Sequence, residues 1–318
     1  MRLATAKIQN ESHFVFAPPG EQTKFYRWSD YVNSFPVPED LRKIRTLKEF
    51  VEYDGAALMH LKKDLGSFSK LPSIALQSKD FDLPFVPTTF RDFYCFEEHV
   101  QNARKNRGAD MIPEWYEAPV FYYSNPLSFR GPSEAVAYPA DSKAMDVELE
   151  IACVIGKTIR NANLQQAREA ILGYSVLNDW TARDFQAWEM KMNMGPTKGK
   201  DFCTSFGSYI ITSDELEGLR SGKGFDIEFE LRINNEVFTK KNWKDIQFSF
   251  EEMIVRASKN CTMVAGEVIA SGTMGLGCLL EHNIGKDPKR WLKIGDEVTM
   301  RWLPHGPELK NKIGEPLP

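Results

Sequence analysis

The sequence has few cysteines and few histidines. Of its 318 residues, five are cysteine and five are histidine. The cysteines are odd in number and widely spaced, and they show none of the close pairing of a zinc site. This usage predicts reduced, packed thiols in a cytoplasmic protein. The cysteines are Cys95, Cys153, Cys203, Cys261 and Cys278.

Long apolar runs and an excess of positive charge are also absent. No run of about 18 apolar residues occurs, and the opening residues lack the apolar core of a signal peptide. The net charge of -4 and the pI near 5.9 argue against a surface that binds nucleic acid. The sequence therefore predicts neither a membrane nor a nucleic acid as a partner.

Acidic residues recur at every second position within the apolar segment 145–155. They are Asp146, Glu148 and Glu150. Because residues i and i+2 of a strand point to one face, Glu148 and Glu150 are expected to face a common spot. Two buried like charges repel, and a divalent cation that prefers oxygen ligands would stabilise them. The alternative is a strand with one solvated face, which is ordinary in antiparallel sheets.

A further acidic residue, Asp179, ends the apolar segment 173–180. The residues after it predict the start of a helix, on which Arg183 and Gln186 would share one face because they are three apart. A carboxylate at a strand-to-helix junction is well placed to reach a site at the edge of a sheet. Asp179 or Thr181 is the expected N-cap of this helix, and the alternative for Asp179 is that it serves only as such a cap.

The segment 88–100 is acidic and aromatic, and it contains Asp92, Tyr94 and His99. Imidazole is the side chain that titrates near neutral pH, so such a histidine can serve as a general base. The alternative is a packed core histidine beside the phenylalanines of this segment.

Five motifs occur together in one order along the chain. In this order they resemble the fumarylacetoacetase family, and they cover roughly residues 85 to 303, whereas the first 85 residues match less well. The motifs are Arg91-Asp-Phe-Tyr with His99, Asp146-Val-Glu-Leu-Glu150, Asn178-Asp-Trp-Thr-Ala-Arg-Asp-Phe-Gln186, Gly195-Pro-Thr-Lys-Gly-Lys-Asp-Phe202 and Ala270-Ser-Gly-Thr-Met-Gly275.

The resemblance implies a divalent-metal site made of oxygen ligands. The expected ion is Mg2+, with Mn2+ or Ca2+ as alternatives, and the ligand positions fall on Asp92, Glu148, Glu150 and Asp179. By the same resemblance, His99 is the base and Lys200 is the lysine of the active site. The positions that contact the substrate fall on Tyr94, Tyr122, Arg183, Gln186 and Thr273.

One departure concerns the partner of His99. Some smaller members of the family place a glutamate three residues after the histidine, where this chain has Asn102. The fumarylacetoacetase pattern instead uses a distant glutamate in a Gly-x-x-Leu-Glu segment, which fits residues 277–281. We therefore expect His99 to pair with Glu281.

The activity implied by the resemblance is metal-dependent hydrolysis of the C–C bond of a β-diketo acid such as fumarylacetoacetate or an acylpyruvate. The alternative is a decarboxylase, hydratase or isomerase of a 2-oxo acid with the same metal site, because fold and metal site do not decide the reaction. A ligand-binding protein without turnover is a third class, against which the intact base and lysine positions weigh. The resemblance also implies a small carboxylate substrate, a homodimer, and a role in aromatic amino acid catabolism.

The fold expected from these patterns is α/β and rich in strands. Residues 1–85 are predicted to form a small α+β domain, and residues 86–318 a catalytic domain with the family's mixed β-roll or sandwich. Segment 226–233 alternates strictly and predicts a strand, followed by a turn at Asn234 and Asn235 and a returning strand. Segment 248–258 predicts a helix. Segments 104–110 and 188–195 are either lids over the site or ordinary surface loops.

Overall fold

The computed structural model describes residues 1–317. Its strands, β1 to β23 in chain order, are Arg2–Ile8, Glu11–Ala17, Lys24–Arg27, Ser73–Ala75, Phe90–Phe93, Phe121–Ser124, Phe129–Arg130, Val136–Ala137, Met145–Asp146, Leu149–Ile155, Ile159–Arg160, Ile171–Asp179, Thr181–Ala182, Thr204–Phe206, Ile210–Thr212, Arg220–Ser221, Gly224–Phe225, Glu228–Ile233, Glu236–Asn242, Thr262–Met263, Val268–Ala270, Glu297–Trp302 and Glu308–Gly314. Its helices, α1 to α8, are Trp28–Ser34, Leu47–Glu52, Ala56–Lys63, Glu97–Asn106, Leu164–Ala170, Arg183–Glu189, Phe250–Ser258 and Leu279–His282.

A mixed sheet of twelve strands organises the molecule, in the order β4-β3-β2-β1-β15-β12-β10-β21-β5-β6, with β14 and β7 branching from β12. A second sheet of five strands has the order β19-β18-β22-β23-β8. Strands β10 and β12 are buried along their whole length, and residues on both of their faces belong to hydrophobic clusters. The predicted β-rich α/β fold is confirmed.

The N-terminal residues contribute strands to this large sheet. Strand β1 pairs antiparallel with β15, and Arg2 lies opposite Ile211. Helices α1 to α3 follow the first hairpin, and an aromatic cluster that includes Phe14, Trp28 and Phe50 packs between strand and helices. The division of the chain near residue 85 stays a prediction.

Two local predictions are confirmed in detail. Strands β18 and β19 form the expected hairpin, and Asn234 and Asn235 have φ angles of 52° and 66°, as a two-residue turn requires. Helix α7 begins after Ser249, whose side chain accepts from the amide of Glu252 in a capping box.

Two other predictions need correction. The segment 145–155 is not one strand, because β9 ends at Asp146 and β10 begins at Leu149. Helix α6 begins at Arg183 and its N-cap is Ala182, so neither Asp179, the last residue of β12, nor Thr181, in β13, caps the helix. Among residues 1–317, no helix is both long and apolar enough to cross a bilayer. All five cysteines are free, and four of them are buried.

Candidate active site

A cavity of about 320 Å3 opens where β5, β10 and α6 meet the loop that carries Lys200. All of the predicted site residues line it except Asp179 and Glu281, which lie directly behind Lys200 and His99. The fold explains this convergence, because β12, β10, β21 and β5 are consecutive neighbours in the large sheet. The register sets Leu149 opposite Asn178 and Ala270 beside Asp92, which brings distant segments to one place.

Four buried carboxylates meet at the floor of the cavity. One oxygen from each lies within 4.8 Å of the others, and the residues are Asp92, Glu148, Glu150 and Asp179. Glu148 and Glu150 therefore do converge, as expected, although Glu148 precedes β10 and is not part of a continuous strand. The backbone amide of Glu148 donates to Asn178 Oδ1 at 2.9 Å, which fixes the turn into β10.

The four carboxylates divide by their hydrogen-bond partners. The ammonium of Lys200 donates to Glu148 and, at 2.6 Å, to Asp179. The hydroxyl of Tyr122 contacts Asp92 at 2.9 Å and Asp179 at 2.5 Å. Within the described residues, neither Asp92 nor Glu150 forms an ion pair, and Asp92 Oδ1 and Glu150 Oε2 are buried without any hydrogen-bond partner. These buried oxygen donors could together hold a divalent cation.

The pKa shifts of the carboxyl groups agree with this division by hydrogen-bond partners. Burial, together with the charge of neighbouring carboxylates, raises the pKa of Asp92 to about 8 and that of Glu150 well above its ordinary value. Burial alone would also raise the pKa of Glu148, but the charges of Lys200 and Arg183 outweigh it and lower that pKa to about 2. An oxygen-only donor set of this kind, with two oxygens unsatisfied, fits a hard divalent cation.

The imidazole of His99 lies at the wall of the same cavity. It projects from α4, and its Nδ1 is 2.9 Å from Glu281 Oε2. The other oxygen, Glu281 Oε1, accepts from Asn102 Nδ2 at 3.0 Å and from the amide of Leu276 at 2.9 Å. Burial would raise the pKa of Glu281, but the charge of His99 and these hydrogen bonds lower it to about 2. The structure thus brings together the predicted pair, and Asn102 holds the glutamate.

Arg183 has protein partners on all three of its nitrogens. Nε donates to Asp146 Oδ2 at 2.7 Å, one terminal nitrogen donates to Glu148 Oε1 at 2.7 Å, and the other donates to Gln186 at 2.9 Å. In this arrangement the guanidinium orients Glu148 and Gln186. The predicted grip of Arg183 on a substrate carboxylate stays a prediction, and it would require exchange of one of these partners.

Asp146 has a role that the sequence pattern did not reveal. Its carboxylate is fully buried and accepts from the amides of Leu279 at 2.7 Å and Leu280 at 3.0 Å, in the first turn of α8. It also accepts from Arg183. Since α8 carries Glu281, one carboxylate connects the helix behind the histidine to the arginine beside the carboxylate cluster. The sequence pattern gave no sign of the break between β9 and β10 that follows Asp146.

Glu189 is a second residue that sequence reasoning missed. It ends α6, is 5% exposed, and its carboxylate accepts from the amide of Thr197 at 3.0 Å and the amide of Gly199 at 3.2 Å. Its side chain thereby fixes the loop that carries Lys200. No motif marks this position, because a glutamate near a helix end is usually solvated.

Arg107 is the third missed residue. It follows α4, lies in the segment predicted as a lid or surface loop, and lines the outer part of the cavity beside Tyr94. Within residues 1–317, Arg107 forms no ion pair with a carboxylate. Burial raises the pKa of the Tyr94 hydroxyl, while the charge of Arg107 opposes this rise. An exposed guanidinium at the mouth of a cavity is a ready partner for an anionic ligand group.

Comparison with known proteins places this geometry in a family. Residues 88–314 match the family model described as the fumarylacetoacetate hydrolase C-terminal domain. A fumarylacetoacetase from Oryza sativa subsp. japonica is 25% identical over 313 residues, which cover 80% of this chain and 72% of the relative. Oxaloacetate tautomerase YisK from Bacillus subtilis (strain 168) is 27% identical over 261 residues, which cover 79% of this chain and 81% of the relative.

A solved structure supports the same assignment of the fold. Maleylpyruvate hydrolase from Sphingobium sp. SYK-6, in complex with manganese(II) ion and pyruvate, superimposes with a TM-score of 0.69 at 18% identity, and the match covers 100% of both chains. The family match extends over most of the chain and contains all of the predicted site residues. This chain is a member of the fumarylacetoacetate hydrolase family.

Proposed function

We propose that the protein is a divalent-metal-dependent hydrolase that cleaves the C–C bond of a β-diketo acid of the fumarylacetoacetate or acylpyruvate type. The observation that carries the proposal is the His99–Glu281 pair in the same cavity as four converging carboxylates. A base that is held by a carboxylate suits a reaction in which water must lose a proton.

The metal ligands in this proposal are Asp92, Glu148, Glu150 and Asp179. A bound divalent cation would polarise the substrate carbonyl and stabilise negative charge on its oxygen. Mg2+ is the ion we expect, and Mn2+, the ion in the maleylpyruvate hydrolase complex, prefers similar oxygen ligands. Lys200 compensates part of the charge of this cluster through Glu148 and Asp179.

His99 acts as the general base toward water. Its Nδ1 is turned to Glu281, so Nε2 is the nitrogen that faces the cavity and accepts the proton. The carboxylate of Glu281 then stabilises the imidazolium and keeps the ring oriented. The same imidazolium can return the proton to the carbon that leaves when the C–C bond breaks.

Substrate recognition divides between the inner and outer parts of the cavity. Lys200 and Gln186 lie near the carboxylate cluster and can donate to oxygens of the diketo group, on which negative charge develops. At the mouth, Arg107 and Tyr94 suit a carboxylate on the substrate tail. The chain thus provides donors for a substrate with anionic groups at both ends.

An isomerase or tautomerase of a 2-oxo acid is the second candidate. The observation that favours it is the similarity to an oxaloacetate tautomerase over 79% of this chain. Tautomerisation requires only that His99 move a proton between carbon and oxygen, whereas hydrolysis also requires water near Nε2. The homodimer, the cytoplasmic location and the role in aromatic amino acid catabolism stay predictions.

A substrate panel tests the proposal. The purified protein with Mg2+ should convert a 2,4-diketo acid into two carboxylic acids, one of which carries oxygen from labelled water. Chelation of the metal or Asp179→Asn should abolish turnover, and His99→Ala should lower the turnover rate about 10²–10⁴-fold. Faster decarboxylation or tautomerisation of oxaloacetate than cleavage of any diketo acid would refute the hydrolase assignment.

A further inference from the structure

A second group of potential metal ligands lies behind His99, separate from the four carboxylates. It consists of His99, Cys278 and Glu281, whose ligand atoms lie within 4.8 Å of one another. Cys278 Sγ is 3.2 Å from Glu281 Oε2 and 4.0 Å from His99 Nδ1. His99 is 4% exposed and lines the cavity, whereas Cys278 and Glu281 are buried behind it.

The hydrogen bonds around Glu281 orient this group. Oxygen Oε1 is already held by the amide of Asn102 and the backbone of Leu276. Oxygen Oε2 is approached instead by His99 Nδ1 at 2.9 Å and by the thiol of Cys278. Both groups become metal ligands when they present a lone pair in place of a hydrogen. Asn102 and Leu276 would keep a ligating carboxylate in position, as outer hydrogen bonds do in metal sites.

The spacing of the three atoms suits a tetrahedral ion. With bonds of about 2.3 Å to sulfur and about 2.0–2.2 Å to nitrogen and oxygen, ligand atoms around zinc lie roughly 3.3–3.6 Å apart. The observed separations of 2.9, 3.2 and 4.0 Å lie on either side of this range, so small side-chain rotations would bring the three atoms to tetrahedral spacing. We propose that His99, Cys278 and Glu281 form an inhibitory site for a thiophilic divalent cation such as Zn2+ or Cd2+.

The donor chemistry separates this site from the carboxylate cluster. Thiolate and imidazole favour Zn2+ and Cd2+, whereas the oxygen-only cluster suits Mg2+. Excess Mg2+ should therefore occupy the carboxylates without displacing a thiophilic ion from the sulfur. Cys278 is the residue that creates this difference, because without it the group retains only a histidine and a carboxylate.

Proton balance defines the consequence of binding. The thiol of Cys278 gives up its proton to solvent when sulfur binds the ion. His99 keeps one proton, but it moves from Nδ1 to Nε2, because Nδ1 now donates its lone pair to the ion. Nε2 then faces the cavity as an N–H group and cannot accept a proton from water. Binding thus releases one proton per ion and leaves His99 unable to act as the general base. The inhibitory role in this inference rests on the proposed function.

The test is a titration of the full-length protein with Cd2+ in excess Mg2+ and without substrate. We expect one Cd2+ per chain, an ultraviolet charge-transfer band of a cadmium–thiolate bond, and release of one proton per bound ion. Cys278→Ser should lose the band and weaken binding at least about tenfold. Cys261→Ser, which removes a partly exposed thiol away from the cavity, is the matched control and should behave like the wild type.

Separate outcomes distinguish the site from the proposed function. Absence of the thiolate band in the wild-type protein, or a band that survives Cys278→Ser, overturns the site; the first result does not depend on how the variant folds. With any substrate that the protein turns over, Zn2+ should inhibit the wild type and the Cys261→Ser control in saturating Mg2+. A thiolate band with full activity would overturn the inhibitory role and the assignment of His99 as the base.

Discussion

Asp146→Asn should disconnect two parts of the active site with little change in shape. The wild-type carboxylate accepts from Arg183 and from two amides at the start of α8. Asparagine retains one acceptor oxygen, and its amide nitrogen must face either the guanidinium or a backbone N–H group. Because hydrogen bonds to a charged group contribute about 1.5–3 kcal/mol each, and a broken buried ion pair costs about 3–5 kcal/mol, we expect a loss of about 3–5 kcal/mol in the free energy of unfolding.

The functional consequence separates this role from simple packing. In the variant, Glu148 is the one carboxylate that still accepts from Arg183, so the guanidinium should compete more strongly with a metal ion for Glu148. We therefore expect weaker Mg2+ binding by calorimetry, in addition to the lower stability in urea. The control Asp226→Asn breaks an exposed pair with Lys244 and should leave the free energy of unfolding nearly unchanged. Lower stability with unchanged Mg2+ affinity would refute the coupling of Asp146 to the cluster.

Three further predictions follow from single side chains. Glu189→Gln should lower kcat and leave Mg2+ binding intact, because weaker hydrogen bonds to the loop at residues 197–199 allow Lys200 to move; unchanged kcat would contradict this. Arg107→Ala should raise KM about 10–100-fold for substrates with a carboxylate tail but not for neutral tails, with the exposed Lys105→Ala as control. Because its pKa of about 2 in the folded protein lies below the ordinary 4.5, Glu281 stabilises the fold above about pH 4.5 and loses this contribution as pH falls toward about 2. The free energy of unfolding in urea should therefore fall less in Glu281→Gln than in the wild type between about pH 4.5 and 2, by up to about 3 kcal/mol. An equal fall in both proteins would contradict the lowered pKa.

The sequence predicted those parts of the site that lie within short motifs. Asp92, Tyr94 and His99 share one strand-to-helix segment, where their clustering allowed either a base or a packed histidine, and the resemblance favoured the base. The pairing of His99 with Glu281 spans 182 positions, and only the resemblance to a family suggested it. Asp146 was wrongly grouped on one strand with Glu150, because alternation predicts a continuous strand and gives no sign of the break before Leu149.

Long-range strand pairing limited the prediction of the fold in a similar way. The alternation in β18 and β19 identified a hairpin because both strands and their turn are adjacent in sequence. The pairing of β1 with β15 joins residues about 200 positions apart, and no local pattern encodes it. Charged residues such as Glu189, which is buried, and Arg107, which is exposed, gave no signal either, since their roles depend on which distant loop or cavity lies beside them.

The charges of the site indicate where the proposed cation would bind. Glu148 and Glu281 have fixed positive or hydrogen-bonding partners, and their pKa values are lowered to about 2. Asp92 and Glu150 have no cationic partner in the described part of the chain, and their pKa values are raised. Carboxyl groups whose pKa values shift in opposite directions serve different roles. Charges and hydrogen bonds of the protein stabilise the ionised form of the first pair, whereas a bound cation would stabilise it in the second pair. Of these four carboxyl groups, the protein's own charges and hydrogen bonds thus stabilise two, and the proposed metal ion would stabilise the other two.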